Sequence, residues 1–391
     1  MLPNYYQFYS PIKILSGSKA VSNIPYEMGL LGCKRAMVVT DKGVVGAGLI
    51  EIIKSAFADS DRRIGFIFDE VPPDSSNRIA NKLAKLFEKE QCDCFIAVGG
   101  GSAMDTAKGA NIVISEKSDD LLKLQGAENI KADLKPMIAV PTTAGTGSEV
   151  TKAAVIYNEE ANCKMSFVSD KLYPTMAVLD PAMTATMPPK ITAMTGMDAL
   201  THAMEAYTCL QKNPVSDVFA KGAIELIRKY LVRATENGKD EEARLGMANA
   251  ALMAGVAFSN SMVGACHSLA HATGGVCHVP HGLANAIFLP WVLEYNSDKV
   301  PEYVAELSGV LGGAVDYLEA KDQAMVTVTL VRNLLVRLNQ LSGMPIRLRD
   351  AGVTEDKLPA IAKLTINDGS LILNPKEVSY DDALSILKKA F

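Results

Sequence analysis

Short apolar runs alternate with helical segments through the first 140 residues of this chain. The runs at 35–40, 64–68, 94–98 and 137–140 each indicate a buried strand that ends at a loop, whereas 77–90 carries apolar side chains at helical spacing. Strands that alternate with helices pair in parallel and need a layer of helices on each face. The pattern therefore predicts an α/β domain built on a mainly parallel sheet.

The strand pattern changes and then disappears along the rest of the chain. Residues 153–168 indicate two strands joined by a polar turn, and after 177–190 the sequence is rich in Ala, Leu and Met with helical periodicity. We therefore predict an α/β domain over 1–187 and an all-helical domain over 188–391. The most apolar window, 246–266, is interrupted by Asn and Ser and predicts a buried helix rather than a membrane span.

Composition argues against several classes of protein. The 391 residues include 39 Lys and Arg against 44 Asp and Glu, and no basic block interleaved with aromatic residues is present, so a nucleic-acid surface is not expected. The N-terminal sequence lacks the pattern of a signal peptide, and the seven cysteines show no framework spacing. We expect reduced thiols, a cytoplasmic location and no membrane partner.

Residues 99–102, the sequence Gly-Gly-Gly-Ser, follow one predicted strand and precede a predicted helix. Glycines leave no Cβ to obstruct a phosphate, and the first amides of a helix attract an anion. The alternative, a tight turn between strand and helix, would need only one or two glycines. The segment favours phosphate binding, although it differs from the Gly-x-Gly-x-x-Gly fingerprint of dinucleotide sites.

Two further segments favour a dinucleotide site. Another buried strand is followed by four small hydroxyl residues, which can donate hydrogen bonds to phosphate or amide oxygens: Thr142, Thr143, Thr146 and Ser148. Two such loops at the carboxyl ends of parallel strands suggest a ligand crevice. Asp41 closes the strand at 35–40, where it could accept hydrogen bonds from ribose hydroxyls and repel a 2′-phosphate, which favours NAD over NADP. A turn or cap is the alternative role for this carboxylate.

Four of the five histidines lie within 266–282, and the fifth, His202, follows Asp198 by four residues. His267 and His271 have the same spacing in a second predicted helix, which we expect to end at 274–275 before a short loop returns His281. Side chains four residues apart share one face of a helix. A carboxylate and several imidazoles at such spacings predict a site for a divalent first-row metal ion, and leave open which histidines bind it.

Five segments together resemble the iron-containing (group III) alcohol dehydrogenases. The metal-site motifs of that family are similar to GMDALTHAMEAY, CHSLAHATGG and VPHGLANAIFLPWVLEYN, and its cofactor loops to GGGSAMDTAK and PTTAGTGSEVT. The resemblance spans essentially the whole chain. It implies a Rossmann-like dinucleotide-binding domain followed by a helical metal-binding domain, NAD as cofactor, Fe²⁺ as the metal with Zn²⁺ as an alternative, and a homo-oligomer of two or more subunits.

The resemblance also implies roles for individual residues. The implied metal ligands are Asp198, His202, His267 and His281, and His271 would face the nicotinamide and the substrate as a proton relay. The implied cofactor contacts are Asp41, Gly99, Gly100, Gly101, Ser102, Asp105, Thr142, Thr143 and Lys164. Asp74 falls where relatives often carry Asn near the adenosine, which is a departure from the pattern. Three candidates match no ligand position: His278, Cys266 and Cys277.

These features predict hydride transfer between a nicotinamide and a small primary alcohol, diol or aldehyde, in a pocket near Phe258 and residues 367–373. A divalent ion would make the alcohol more acidic, while the protein would align the reacting carbons and exclude water. The alternatives are a glycerol or other polyol dehydrogenase, a dehydroquinate-synthase-like lyase, a metal-dependent hydrolase, and a non-catalytic protein that binds NAD and metal.

Overall fold

The computed structural model describes residues 3–161, 163–313 and 318–391. The chain forms two compact units, of which one comprises residues 10–186 and the other comprises residues 1–9 together with 187–391. All strands found in the described residues belong to the first unit, and the second unit is built from helices.

The first unit is an α/β structure. Its strands are β1 (Lys13–Ser16), β2 (Arg35–Val39), β3 (Arg63–Phe68), β4 (Cys94–Gly99), β5 (Gly126–Ala127), β6 (Met137–Pro141), β7 (Ala153–Asn158), β8 (Cys163–Val168) and β9 (Met176–Leu179). Its α-helices are α1 (Ile24–Leu30), α2 (Lys42–Gly46), α3 (Leu49–Ala56), α4 (Asn77–Lys89) and α5 (Gly101–Ser115).

Six strands form one parallel sheet in the order β1-β9-β6-β4-β2-β3. Alternate residues of a strand enter separate cores on the two faces: Phe95 and Ala97 join the core beneath α4 and α5, whereas Ile96 and Val98 join the core beneath α1 and α3. Because helices cover both faces, the central strands read as continuous apolar runs. The predicted strands and their parallel pairing are confirmed.

A smaller three-stranded sheet has the order β5-β8-β7. β7 and β8 pair antiparallel, with Tyr157 opposite Lys164, so the predicted hairpin at 153–168 is confirmed. The sequence did not predict β1, because this edge strand has four residues, most of them exposed, and lacks a buried apolar run.

The second unit consists of nine α-helices within its described part. They are α6 (Pro189–Thr208), α7 (Pro214–Glu236), α8 (Glu241–Ser261), α9 (Ala265–Cys277), α10 (His281–Asn296), α11 (Pro301–Val310), α12 (Ala320–Ser342), α13 (Leu358–Thr365) and α14 (Tyr380–Ala390). α6 packs against α7, α8 and α10, and nearly all of its side chains from Thr192 to Thr208 are buried. Small side chains allow such close packing on every side, and α6 has four Ala and four Thr among its 20 residues.

Two helix boundaries differ from the prediction. The apolar window 246–266 belongs to two helices, because α8 ends at Ser261 and α9 begins at Ala265. Between them, Met262 has a φ of 72°. The prediction that α9 ends at 274–275 is wrong: it continues to Cys277, and His278 closes it with a φ of 55° while donating its N–H to the Gly274 carbonyl at 2.9 Å. A non-glycine residue has thus taken the left-handed terminal position.

Among the described helices, none combines the length and apolar character that a membrane span requires.

A substitution at Gly246 tests how closely α7 and α8 pack. A Cβ at this position would lie 2.2 Å from Cδ2 of Tyr230, so we expect Gly246→Ala to lower the free energy of unfolding by about 1–3 kcal/mol. Gly309→Ala in α11 is the control, because no atom lies within 4 Å of its added Cβ and Ala favours a helix over Gly by up to about 1 kcal/mol. Urea denaturation followed by circular dichroism measures both; equal stability of the two variants would contradict the packing constraint.

Candidate metal centre and nucleotide-binding loops

Four side chains from three helices converge in the helical unit. Asp198 and His202 lie on α6, His267 lies on α9, and His281 is the first residue of α10. One carboxylate oxygen and one nitrogen from each imidazole all lie within 4.8 Å of one another. The aspartate and the first two histidines are buried, and His281 is partly exposed. The structure therefore brings together the four residues that the resemblance implied as metal ligands.

The local sequence explains why these side chains meet. Asp198 and His202 are one helical turn apart, so they share a face of α6. After α9 ends at the left-handed His278, Pro280 precedes α10 in an extended conformation, and the chain reverses. This reversal brings the ring centroid of His281 within 5.3 Å of that of His267.

Asn285, one turn after His281, contacts three of the four candidate ligands. Its Nδ2 lies 2.7 Å from Oδ1 of Asp198, 3.2 Å from Nε2 of His267 and 3.1 Å from Nε2 of His281. An amide nitrogen carries two hydrogens and cannot satisfy three acceptors. The lone pairs of these atoms thus converge on one point with too few hydrogens to satisfy them. A bound cation would satisfy the remaining lone pairs. The residues therefore fit a divalent metal ion.

Electrostatics favour the protonation states that bind metal. Burial raises the pKa of the Asp198 carboxyl, but the nearby His202, His281 and His267 outweigh burial and hold that pKa below its usual value. Burial, assisted by His202, lowers the pKa of His267 well below its usual value. An ionised carboxylate and a neutral imidazole are the forms that coordinate a cation. Three nitrogens and one carboxylate oxygen suit Fe²⁺ or Zn²⁺.

Glu205 contacts the other ring nitrogen of His267 and was missed by the sequence analysis. Its Oε2 lies 2.5 Å from Nδ1 of His267, and its Oε1 accepts the Cys266 N–H at 2.6 Å. The carboxyl is buried, and burial raises its pKa to about 7. The available signal was its position three residues after His202 on α6, which places it on the same helical face.

His271 lies beside the cluster and contacts a second carboxylate that the sequence did not single out. Its ring stacks on that of His281 at a centroid distance of 5.3 Å, and its Nδ1 lies 2.9 Å from Oδ2 of Asp368. The Asp368 carboxylate also accepts hydrogen bonds from the Ser370 N–H at 2.8 Å and the Ser268 hydroxyl at 3.3 Å. Burial raises the pKa of Asp368, but the hydrogen bonds from His271 and Ser370 outweigh it and hold this pKa well below its usual value. Because an ionised carboxylate only accepts hydrogen bonds, Nδ1 of His271 donates its N–H to Asp368.

The remaining candidates near the cluster have other surroundings. His278 is exposed at the end of α9, and Cys277 is partly exposed. The buried thiol of Cys266 donates to the Asn285 carbonyl at 3.4 Å. Phe258 stacks on the ring of His202 with centroids 4.3 Å apart. None of these four belongs to the group of converging ligand atoms.

In the α/β unit, the predicted cofactor segments follow three neighbouring strands. β6, β4 and β2 are adjacent and parallel, so Thr142, Gly100 and Asp41 lie at the same edge of the sheet. A Cβ on Gly100 would lie 3.2 Å from Oγ1 of Thr143, and one on Gly99 would lie 2.6 Å from Cβ of Ala103. The contact with Thr143 brings the two loops together, and the one with Ala103 leaves no room for a side chain at Gly99.

The start of α5 is open to an anion. Its N-cap is Gly100, which has no side chain to accept hydrogen bonds from the first amides of the helix. The Ser102 hydroxyl donates to the Pro73 carbonyl, which ties the turn that contains Asp74 to this loop. Asp74 in turn pairs with Lys164 at 3.0 Å, so two of the predicted cofactor residues contact each other.

Asp41 and Asp105 both accept hydrogen bonds from the protein backbone. Oδ1 of Asp41 accepts the Val44 N–H at 3.0 Å and caps α2, so the alternative role of this residue is present in the structure. Oδ2 of Asp105 accepts the Val155 N–H at 3.0 Å, and burial raises the pKa of this carboxyl to about 6. Asp105 thus connects α5 to the hairpin strand β7.

Lys108 supports the second loop and was also missed by the sequence analysis. It is buried on α5, and its Nζ lies 2.9–3.0 Å from four acceptors, which its three hydrogens share: Thr151 Oγ1 and the carbonyls of Ser148, Thr151 and Ala153. Burial lowers its pKa to about 8. This lysine therefore fixes the backbone between Ser148 and Ala153, which follows the threonine-rich segment.

Comparison with known proteins identifies the family. The model of the iron-containing alcohol dehydrogenases matches residues 11–181, and the model of the C-terminal part of that family matches 192–391. The chain is 37% identical to a 1,3-propanediol dehydrogenase of Klebsiella pneumoniae over 377 residues, which cover 96% of each protein. It is 35% identical to an NAD-dependent methanol dehydrogenase of Bacillus methanolicus over 98% of this chain and 99% of the relative.

The solved structures agree with this result. A crystal structure of a 1,3-propanediol oxidoreductase superposes with a TM-score of 0.95 at 36% identity, over 99% of this chain and 100% of the other. The predicted alternatives, a polyol dehydrogenase or a dehydroquinate-synthase-like lyase, are not favoured by these matches. The chain belongs to the iron-containing alcohol dehydrogenase family and is an NAD-dependent alcohol dehydrogenase of that family, whose metal is Fe²⁺.

Proposed function

We propose that Asp198, His202, His267 and His281 hold the metal ion of this enzyme, which transfers hydride between NAD and a short primary alcohol, diol or aldehyde. The observation that carries the proposal is the convergence of four ligand atoms within 4.8 Å. When bound, the metal ion supplies a Lewis acid that increases the acidity of an alcohol or polarises an aldehyde. Zn²⁺ is the alternative ion, since such ligands bind it more tightly than Fe²⁺.

His271 is the proposed proton relay. Because its Nδ1 hydrogen is directed to Asp368 at 2.9 Å, Nε2 is the atom that takes a proton from the alcohol or returns one to the product of aldehyde reduction. A positioned histidine can contribute a factor of about 10²–10⁴ to the rate of such a step. Asp368 accepts the Nδ1 hydrogen both before and after Nε2 takes up the proton.

The α/β domain, residues 1–187, is the proposed NAD-binding domain, and the helical domain, 188–391, is the proposed metal-binding and catalytic domain. The amides at Gly99, Gly100, Gly101 and Ser102 would bind the pyrophosphate, assisted by Thr142 and Thr143. Asp41 would bind the adenosine ribose, and the paired Asp74 and Lys164 would lie beside the cofactor. Asp105 would act through the hairpin that it anchors.

The protein is also proposed to be a cytoplasmic homo-oligomer. Free thiols at all seven cysteines support a reducing compartment. The resemblance to the family supports assembly into dimers or larger oligomers.

A substrate panel tests the proposed reaction. Protein reconstituted anaerobically with Fe²⁺ or Zn²⁺ is supplied either with NAD or NADP and a short alcohol or diol, or with NADH or NADPH and a short aldehyde. The absorbance of the reduced cofactor is followed. We expect turnover with NAD and a primary alcohol or diol. No change in absorbance with any of these alcohols, diols or aldehydes would contradict the proposed reaction.

Loss of a ligand should remove metal and activity together. We expect His267→Ala and His281→Ala to retain little metal and to lose at least about 100-fold in kcat/KM, because loss of a ligand exceeds the 10- to 100-fold effect of outer groups. His278→Asn is the control, since this exposed histidine is outside the cluster and Asn tolerates its left-handed backbone. Metal analysis and kinetics measure both properties; full turnover by a metal-free variant would contradict the ligand assignment.

Removal of the proposed relay should separate metal binding from turnover. We expect His271→Ala to keep its metal and to lose about 10²- to 10⁴-fold in kcat, with an altered pH profile. Asp368→Asn should shift the same profile less severely, because the ring remains but its tautomer is no longer held by a carboxylate. Metal loss from His271→Ala would instead make this histidine a ligand.

Preference for NAD can be tested without removing the helix cap. Asp41→Asn retains an N-cap side chain for α2 and removes only the negative charge. We expect the ratio of kcat/KM with NAD to that with NADP to fall about tenfold, which corresponds to the loss of roughly 1.4 kcal/mol of discrimination. An unchanged ratio at unchanged stability would leave Asp41 with the cap as its sole role.

A further inference from the structure

We infer that Glu205 is a positioning residue for the metal ion, because it fixes the tautomer and the ring orientation in which His267 presents Nε2. The inference rests on the proposed metal site, but it concerns a carboxylate outside the four converging ligand atoms. Its basis is the hydrogen bond between Oε2 of Glu205 and Nδ1 of His267 at 2.5 Å.

The carboxylate is held by two helices at once. Glu205 follows Asp198 by seven residues and His202 by three, so α6 presents all three side chains on one face. Its Oε1 accepts the Cys266 N–H at 2.6 Å, in the first turn of α9, and α9 has no capping side chain of its own. One carboxylate therefore orients both the backbone at the start of α9 and the imidazole that follows.

The space around this contact leaves little freedom. A Cβ on Gly264 would lie 3.2 Å from Oε1 of Glu205 and 2.9 Å from Oδ1 of Asn374, so the backbone before α9 approaches the carboxylate closely. Glu205 and His267 are both buried. Neither partner can turn to water for a replacement hydrogen bond.

The consequence for metal binding follows from imidazole chemistry. A neutral imidazole carries one hydrogen, and a carboxylate that accepts it at Nδ1 leaves the lone pair on Nε2. The Nδ2 atom of Asn285, 3.2 Å from Nε2, is a donor and agrees with that lone pair. Without the carboxylate, the hydrogen could move to Nε2 and the ring could rotate, and both changes compete with coordination.

The test compares three full-length, metal-free proteins: wild type, Glu205→Gln and Glu27→Gln. Gln offers one acceptor oxygen for two donors, so one of the two hydrogen bonds is lost. Glu27 is the control because it is a buried carboxylate in the α/β unit, paired with Lys13 at 2.7 Å and outside both candidate sites. Co²⁺ is the probe, and its dissociation constant is measured by competition with a chromophoric chelator.

We expect Glu205→Gln to raise the Co²⁺ dissociation constant about 10- to 100-fold and to change the visible spectrum of the bound Co²⁺. The Glu27→Gln protein should match wild type in both measurements. A Glu205→Gln protein with wild-type affinity and spectrum overturns the positioning role but leaves the metal site intact. If the metal-free form of that protein is also less stable than wild type, Glu205 acts only as a helix cap. Failure of wild type to bind Co²⁺ overturns the metal site and the inference together.

A second measurement does not depend on the folding of Glu205→Gln. In metal-free wild type labelled with ¹⁵N-histidine, long-range ¹⁵N–¹H correlation spectra identify the tautomer of each ring, and His267→Gln assigns the signals of His267. We expect the hydrogen on Nδ1. A hydrogen on Nε2 overturns the inference.

Discussion

The candidate metal centre depends on the meeting of one carboxylate and three imidazoles at the junction of α6, α9 and α10. Their ligand atoms lie within 4.8 Å of one another, and the amide nitrogen of Asn285 contacts those of Asp198, His267 and His281. Buried polar atoms that lack partners are costly, so an arrangement of this kind favours a bound cation. The break before α9 and the reversal before α10 are the backbone features that make this meeting possible.

Two further carboxylates contact the histidines of this region. Glu205 and Asp368 each contact the Nδ1 atom of one histidine, at 2.5 and 2.9 Å, and each is also bound by a backbone N–H. Each contact sets which ring nitrogen carries the hydrogen. The same chemical device therefore acts on a proposed metal ligand and on the proposed relay, His271, with different consequences for function.

Much of the fold and of the site could be predicted from local patterns. Buried strands and the helix at 77–90 are visible as apolar runs and helical spacing, and Asp198 and His202 are recognisable because one helical turn separates them. Other features have no local signal. The contact of Glu205 spans 62 residues and that of Asp368 spans 97, while β1 is too short and exposed to resemble a strand. The end of α9 was misplaced because His278 occupies a backbone conformation for which two glycines were the more obvious candidates.

Most of the strands and helices, the family of the protein and the residue types available for the metal and the cofactor could be read from the sequence alone. Periodicity and motif spacing are properties of neighbours along the chain. Tertiary structure decided which atoms meet. It placed the glycine and threonine loops at one edge of the sheet with Lys108 beneath the second loop, and it directed Glu205 and Asp368 at the histidines. Those outcomes depend on contacts between distant segments, which packing selects and local spacing does not encode.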